Sequence, residues 1–323
     1  MSMILLPILA LFAGILGLLW GADRFVTGSA SYARYLGISP MVIGLTVVSV
    51  GTSAPEIIVS INAALREAGQ LAVGNALGSN LANIGLVLGI TALVAPIPVN
   101  KKILRQESPV LLLITALAGL CLYNGFLGRG ESIGLALLVI PLLILVVKYK
   151  KKHPDLVDDN EALPELPISR AALWFAVGLA ALLGSAEITV WGAKSIAAYA
   201  GISELIIGLT VVAIGTSLPE LAASVISALR GHHDIALGNI FGSNLFNLML
   251  VMTSAGAIAP ITLGSEVFYR DFLAMAAMTL LMVVLVVIAL RSRAGRISKA
   301  MGLLLLVGYG YYYMLLWPAI TTA

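Results

Sequence analysis

The chain of 323 residues has few charged side chains and few of the residues that usually bind transition metals. Only 11% of its residues are charged, and its single cysteine, Cys121, excludes a disulfide framework and a thiolate metal site. The three histidines, His153, His232 and His233, fall in polar connections, so no HExxH zinc site lies within an apolar run. Apolar residues make up 60% of the chain and the mean hydropathy is +1.03, values typical of an integral membrane protein.

The charge distribution and the first apolar run narrow the class further. A net charge of +3, scattered over short connections, does not indicate a nucleic-acid surface. The first apolar run has no basic segment before it and no small-residue cleavage site after it. We therefore interpret it as a retained transmembrane helix rather than a signal peptide.

Apolar runs long enough to cross a bilayer occupy nearly the whole chain. A hydrocarbon core about 30 Å thick needs roughly 20 apolar residues in a helix. We predict an all-α integral membrane protein with ten transmembrane helices. The predicted spans are 3–33, 38–66, 71–97, 107–125, 131–149, 170–198, 203–230, 234–260, 270–290 and 299–318.

The basic residues divide unequally between the two sides of the membrane when ten spans alternate in direction. Fifteen of the 19 Lys and Arg residues fall on one side, and Arg66, Arg129, Lys194 and Arg270 fall on the other. Basic connections remain cytoplasmic. We therefore predict a multi-pass protein of the cell (inner) membrane, with both termini outside and the central loop in the cytoplasm.

The chain contains an internal repeat. The segment 37–98 aligns with 201–262 without a gap, and half of the aligned positions are identical. We call this alignment, extended over both halves of the chain, the repeat register. Five spans are an odd number, so the second half is predicted to enter the membrane in the opposite direction, as in many transporters. We assign 1–147 to the first five-helix repeat, 148–169 to a cytoplasmic linker and 170–323 to the second five-helix repeat.

Each half carries the motif GTSxPE inside an apolar run, ending at Glu56 and at Glu220. The proline of each motif cannot donate a hydrogen bond to the carbonyl four residues earlier, so a discontinuous helix is predicted at the midplane in each half. In the first motif Thr52 and Glu56 are four residues apart, with Ser53 beside them. We predict that these oxygen-bearing side chains share one helix face.

The following span of each half carries GNxxGSNxxN. In the first half Asn75, Ser79 and Asn83 form one polar stripe that is predicted to face the broken helix before it. The potential ligands are hard oxygen donors with two carboxylates, which suit Na+ or Ca2+ rather than Zn2+. Two buried glutamates are costly unless a cation neutralises them. We expect hydrogen bonds between helices, rather than ion binding, for Asn75, Asn80, Asn239 and Asn244.

Two further groups are expected at the membrane interface. Asp23 and Glu187 are equivalent in the repeat register, and we predict that both carboxylates lie among the lipid headgroups. Tyr309, the tyrosines at 311–313 and Trp317 are predicted to form an aromatic belt at the membrane surface.

The paired motifs GTSAPE with GSNLAN and GTSLPE with GSNLFN make the chain resemble the sodium/calcium exchanger family, within the calcium/cation antiporter superfamily. The resemblance covers both halves and all ten predicted spans, and the chain is similar in size to prokaryotic members. It implies exchange of Na+ for Ca2+ by alternating access, with the first and sixth helices sliding against the rest.

The resemblance also implies a ligand set for the cations. The ligands would be the carbonyl of Ser49, then Thr52, Ser53, Glu56, Ser79 and Asn83, the carbonyl of Ala213, then Thr216, Ser217, Glu220, Ser243 and Asn247. Thr52, Thr216 and the two glutamates would contact the metal ion most directly. Some members carry Asp in place of Asn247, notably the potassium-dependent branch, so the asparagine argues against potassium dependence.

The predicted function is therefore a secondary active antiporter and not an enzyme. Its expected partners are Ca2+, Na+ and the lipid bilayer, with no cofactor and no nucleic acid, and a monomer would suffice because one chain carries both halves. A Ca2+/H+ antiporter of the same fold is the alternative, since the glutamates could bind protons. A channel is a second class of alternative, and it would show flux insensitive to any countergradient. An intramembrane hydrolase is a third, but the sequence shows no HExxH motif, no Ser and His pair and no aspartate pair within its apolar runs.

Overall fold

The computed structural model describes residues 2–101, 103–142, 144, 164–201 and 213–321, and these residues are almost entirely helical. The helices are α1 (Ser2–Leu36), α2 (Pro40–Thr52), α3 (Ala54–Leu65), α4 (Gly69–Val94), α5 (Ile103–Leu122), α6 (Arg129–Leu137), α7 (Ile168–Tyr199), α8 (Ala213–Thr216), α9 (Leu218–Leu229), α10 (His233–Ile258), α11 (Val267–Arg291) and α12 (Lys299–Thr321). The predicted linker at 148–169 lies mostly outside the described residues.

The described residues contain seven helices that are long and apolar enough to cross a membrane, or eight when α2 and α3 are counted as one bent span. The chain is thus an all-helical membrane protein, but this count does not confirm ten spans. Parts of two predicted spans, 131–149 and 203–230, lie outside the described residues. α1 has 35 residues. At about 1.5 Å per residue it exceeds the hydrocarbon core, so it must tilt or emerge from the bilayer.

Two short antiparallel ribbons connect the halves of the chain. β1 (Ile97–Pro98) pairs with β4 (Arg296–Ile297), and β2 (Phe126–Leu127) pairs with β3 (Ile261–Thr262). β1 and β3 are equivalent in the repeat register. Each ribbon therefore joins a strand of one half to a strand of the other.

The buried apolar side chains form two separate clusters. The larger cluster draws on α2 to α6 and on α10 to α12. The smaller one joins α1 and α7, and it rests on a few side chains of α2, α9 and α10, among them Val48 and Ala223. We call α1 and α7 the long-helix pair and the other helices the core.

Small residues allow the two helices of the long-helix pair to approach closely. A Cβ atom on Gly178 would lie 2.7 Å from the Cα of Phe25, and one on Gly28 would lie 2.9 Å from the Cα of Phe175. The rings of Phe25 and Phe175 pack at 5.1 Å between centroids. In lipid the hydrophobic effect does not drive helices together, so their association depends on the close van der Waals packing that such small residues permit.

The tyrosines of α12 do not all lie at the membrane surface. Tyr309 and Tyr312 are buried, whereas Tyr311 is exposed. The hydroxyl of Tyr312 donates to Asp271 Oδ1 at 3.1 Å, and Tyr309 packs against Gly85 of α4. The predicted aromatic belt is therefore wrong for Tyr309 and Tyr312, because residues three apart share a helix face and here that face packs inside the protein.

Candidate cation-binding site

Both GTSxPE motifs interrupt a helix. The axes of α2 and α3 differ by 45° across a break at Ser53. In the second half α8 and α9 meet at Ser217. The two serines have nearly the same backbone conformation, with φ and ψ of −81° and 5° for Ser53 and −89° and 3° for Ser217. The proline follows at the second position of the new helix, where its missing N–H costs little.

The break places the oxygen-bearing side chains of the first motif on two different helices. Thr52 is the last residue of α2 and Glu56 lies in the first turn of α3, so the prediction that they share one helix face is wrong. Both are nevertheless buried. Glu56 and Glu220 each lie in the first turn of a helix, where the helix dipole favours a negative charge.

The predicted ligand residues lie almost entirely in the interior. Ten of the twelve are buried, and these are Ser49, Thr52, Ser53, Glu56, Ser79, Asn83, Ser217, Glu220, Ser243 and Asn247. Thr216 is half-buried, and Ala213 begins α8.

The two carboxylates meet groups from the opposite half. Ser53 Oγ donates to Glu220 Oε1 at 3.1 Å. Ser217 Oγ, at the equivalent position, has no hydrogen-bond partner among the described residues, and neither have Glu56 Oε2 and Glu220 Oε2. Each glutamate thus keeps a buried oxygen that a cation could bind.

Asn239 fixes the second broken helix against α10. Its Nδ2 donates to the Glu220 carbonyl at 3.4 Å and to Ser224 Oγ at 3.0 Å. Its Oδ1 accepts from Thr52 Oγ1 at 3.1 Å, which adds a contact from the first half. One amide therefore positions residues of both motifs.

The first half repeats the arrangement. Asn75 Nδ2 donates to the Glu56 carbonyl at 3.2 Å and to Ser60 Oγ at 3.3 Å. Asn80 Nδ2 donates across the repeat to the carbonyl of Asn244 at 3.2 Å. The expectation that these asparagines bond between helices is confirmed for Asn75, Asn80 and Asn239. It is wrong for the Asn244 side chain, which donates within α10 to the Ile240 carbonyl at 2.7 Å. Of the predicted stripe, Asn75 faces the preceding broken helix.

Sequence reasoning did not identify Ser60 and Ser224 as partners of these asparagines. Each serine lies four residues after a motif glutamate, and the two serines are equivalent in the repeat register. Their identity within the repeat was the available signal. Both are fully buried.

Each polar stripe ends where its helix changes from α-helical to π-helical hydrogen bonding. α4 changes to a π-helical stretch at Asn83, and α10 does so at Asn247. Such stretches often occur at functional sites. Asn83 Oδ1, Ser243 Oγ and both side-chain polar atoms of Asn247 are buried, with no hydrogen-bond partner among the described residues. α9 packs against the Asn83 stretch, and α3 packs against the Asn247 stretch.

These oxygens define the chemistry that the site can support. Within the described part of the chain, no group of three or more His, Cys, Asp or Glu side chains could hold a metal ion. A cation held here would depend on two carboxylates and on neutral hydroxyl, amide and carbonyl oxygens. This set favours hard cations.

We expect Asn239→Ala to destabilise the protein more than Asn75→Ala does. The first change leaves the Glu220 carbonyl, Ser224 and Thr52 without their shared partner in a fully buried place, at about 1–3 kcal/mol for each unpaired group that stays dry. Asn75 is only half-buried, so water can replace part of its bonding. Thermal unfolding in detergent measures both, with the exposed Asn62→Ala as a control, and an equal loss at the two sites would contradict the expectation.

The chain is similar to known proteins along nearly its whole length. The family model described as sodium/calcium exchanger protein matches residues 6–149 and 170–317. The putative antiporter CaxA of Alkalimonas amylolytica is 46% identical over 309 residues, covering 94% of this chain and 96% of CaxA. The inner membrane protein YrbG of Escherichia coli is 39% identical over 312 residues, covering 94% and 95% of the two chains. A solved structure of the sodium-calcium exchanger NCX_Mj matches with a TM-score of 0.82 and 32% identity, covering 96% of this chain and 98% of NCX_Mj.

Proposed function

The chain belongs to the sodium/calcium exchanger family, and from this membership we propose that it is a secondary active antiporter that exchanges Na+ for Ca2+. The observation that carries the proposal is the pair of buried carboxylates, Glu56 and Glu220, one from each half. Each has an oxygen with no hydrogen-bond partner among the described residues. Two carboxylates balance the charge of one Ca2+, and Na+ ions can occupy the same oxygens, so the two kinds of ion compete.

We assign the neutral ligands from the residues of the same motifs and polar stripes. The hydroxyls of Thr52, Ser53, Ser79, Thr216, Ser217 and Ser243, the amides of Asn83 and Asn247, and the carbonyls of Ser49 and Ala213 complete the proposed set. Support comes from the burial of most of these residues and from the polar atoms among them that lack other partners. The ions are the substrates, and the proposal includes no cofactor.

The proposed architecture is ten transmembrane helices in two inverted repeats of five, with 1–147 and 170–323 as the repeats and 148–169 as the linker. Equivalent features in the two halves support it. They include the helix breaks at Ser53 and Ser217 and the ribbon strands β1 and β3. An odd number of spans in each half would place these features in opposite orientations, with one half-site entering from each side.

We propose that the protein lies in the cell (inner) membrane with both termini outside and the linker in the cytoplasm. The excess of Lys and Arg on one side supports this orientation, and the similar Escherichia coli protein is named an inner membrane protein. A monomer suffices in this proposal, because Ser53 of one half already contacts Glu220 of the other.

A Ca2+/H+ antiporter of the same fold is the second candidate. One observation favours it: both Glu56 and Glu220 are buried, so binding a proton would remove the cost of keeping their charges away from water. The neutral oxygens around them favour Na+ instead, because hydroxyl and amide oxygens can complete the coordination of a metal ion without any change of protonation.

Calcium uptake into proteoliposomes separates the two candidates. Vesicles are loaded with Na+ and diluted into Na+-free buffer at equal pH on both sides, and 45Ca2+ uptake is measured. We expect uptake that requires the outward Na+ gradient and is absent from vesicles loaded with choline. Uptake driven only by an imposed pH gradient would transfer the assignment to the proton-coupled antiporter, and uptake without any countergradient would identify a channel.

A further inference from the structure

An ion pair links the long-helix pair to the core. Asp23 of α1 contacts the guanidinium of Arg230, which follows the last residue of α9. The Asp23 side chain is 22% exposed and that of Arg230 is 54% exposed, so the pair lies at the edge of the protein. α1 also meets the core through apolar side chains such as Val26 and Ala30.

The internal repeat encodes the same pair a second time. The residue equivalent to Asp23 is Glu187 of α7, and the residue equivalent to Arg230 is Arg66, directly after α3. Both are exposed, and neither takes part in an ion pair among the residues that the structure describes. The two halves therefore carry equivalent acid and base positions, and of the two possible ion pairs only Asp23 with Arg230 is formed among the described residues.

Helix packing also differs between the two halves. α1 packs along α9, whereas α7 makes no comparable contact with α3, although both of these helices are fully described. The long-helix pair is therefore closed against the core at the end that carries Arg230. At the end that carries Arg66, the long-helix pair does not pack against the core in this way. We refer to these ends as the Arg230 face and the Arg66 face.

The repeat predicts a second arrangement of the same chain. If the two halves exchange their conformations, α7 packs along α3 and α1 withdraws from α9. Glu187 then lies beside Arg66, as Asp23 now lies beside Arg230. Exposed ion pairs are individually weak, so forming one and breaking the other costs little net free energy.

We propose that Asp23 with Arg230 and Glu187 with Arg66 are two ion pairs that form alternately and hold the two end states of the transport cycle. The proposal rests on the antiport function proposed above and adds the residues that set the balance between its end states. In the state described here the Asp23 pair holds the Arg230 face closed. Breaking one pair shifts the population toward the state that the other pair holds.

Neutralising the two acids one at a time tests this proposal. The apparent Ca2+ affinity is measured at each face, in sealed vesicles of both orientations. A site open in only a fraction of molecules has its apparent affinity reduced by that fraction. Asp23→Asn is expected to weaken the affinity at the Arg66 face about twofold or more and to strengthen it at the Arg230 face. Glu187→Gln is expected to do the reverse, and the double variant is expected to return toward the wild type.

A matched control comes from a second ion pair of α1. Arg34 of α1 pairs with Glu165, which lies just before α7 and not in the core. Since this pair stays within the long-helix pair and its flank, Glu165→Gln is expected to leave both affinities unchanged. Shifts in the same direction for Asp23→Asn and Glu187→Gln, or no shift in either, would overturn the proposal.

A second measurement needs no transport, so it distinguishes failure of this proposal from failure of the antiport function. In a Cys121→Ser background, Arg66→Cys with Glu187→Cys is treated with a short bifunctional thiol reagent. We expect the rate of cross-linking to rise when Asp23→Asn is added, because that change favours the state in which α7 lies on α3. An unchanged rate contradicts the ion-pair proposal. If Asp23→Asn raises the rate of cross-linking but the protein shows no Na+-driven uptake, the result would count against the antiport function alone.

Discussion

Calcium transport is expected to disappear when Glu220 is replaced by glutamine, while the protein remains folded. The change removes one of the two negative charges that a bound Ca2+ needs in a dry place. Removing one partner of a buried charge pair costs about 3–5 kcal/mol, which corresponds to a loss of Ca2+ affinity of about a hundredfold or more. In the absence of ions the variant should unfold at the same temperature as the wild type or higher, because a neutral amide is easier to bury than a carboxylate.

The same loss is expected for Glu56→Gln, since the two carboxylates take equivalent places. Glu67→Gln provides the control, because Glu67 is exposed in the turn between α3 and α4. 45Ca2+ binding in detergent and uptake in proteoliposomes measure the effect, and thermal unfolding reports the fold. Near-normal uptake by the Glu220 variant would remove the two carboxylates from the proposed mechanism.

The second large effect is expected from Gly178→Leu in α7. A Cβ at this position would lie 2.7 Å from the Cα of Phe25, so the main chain of α1 would have to move. Overpacking of this kind costs about 1–3 kcal/mol when side chains can adjust, and here the obstacle is backbone. We expect α1 and α7 to separate, with a large fall in folded yield and loss of transport.

Gly184→Leu on the same helix is the matched control. A Cβ on Gly184 meets no atom within 4 Å among the described residues, and the residue is exposed. Replacing a glycine inside a helix at such a place is neutral or stabilising by up to about 1 kcal/mol. Monodisperse yield by size-exclusion chromatography compares the two, and equal behaviour would show that the close approach of α1 and α7 is not required.

Sequence alone predicted the features that depend on local chemistry. A proline inside an apolar run breaks the helix near it, and both breaks lie within the GTSxPE motifs. The spacing of Asn75, Ser79 and Asn83 likewise predicted a stripe facing the broken helix, and the Asn75 bond to the Glu56 carbonyl confirms this for the first residue of the stripe. These are consequences of helix periodicity and of backbone hydrogen bonding, so a single sequence suffices to infer them.

Features that depend on packing between distant segments were not accessible in this way. The bond from Ser53 to Glu220 joins residues 167 positions apart, and no pattern in either motif specifies it. The burial of Tyr309 depends on α12 meeting α4, and the Tyr312 hydroxyl bonds to Asp271 of α11. The pairing of Asp23 with Arg230 likewise depends on the position of α1 against α9. The repeat register identified the equivalent residues, but not which of them are in contact.

The two ribbons and the bond between Asn80 and Asn244 have a consequence for the origin of the chain. Each half pairs its ribbon strands, and Asn80 finds its backbone acceptor, only in the other half, so a single half could not satisfy these groups by itself. Gene duplication with fusion explains the arrangement if the ancestral product had half this length and inserted in both directions. Two antiparallel copies of that ancestor would have formed the same breaks and the same pair of carboxylates, before the connecting segment made their association permanent.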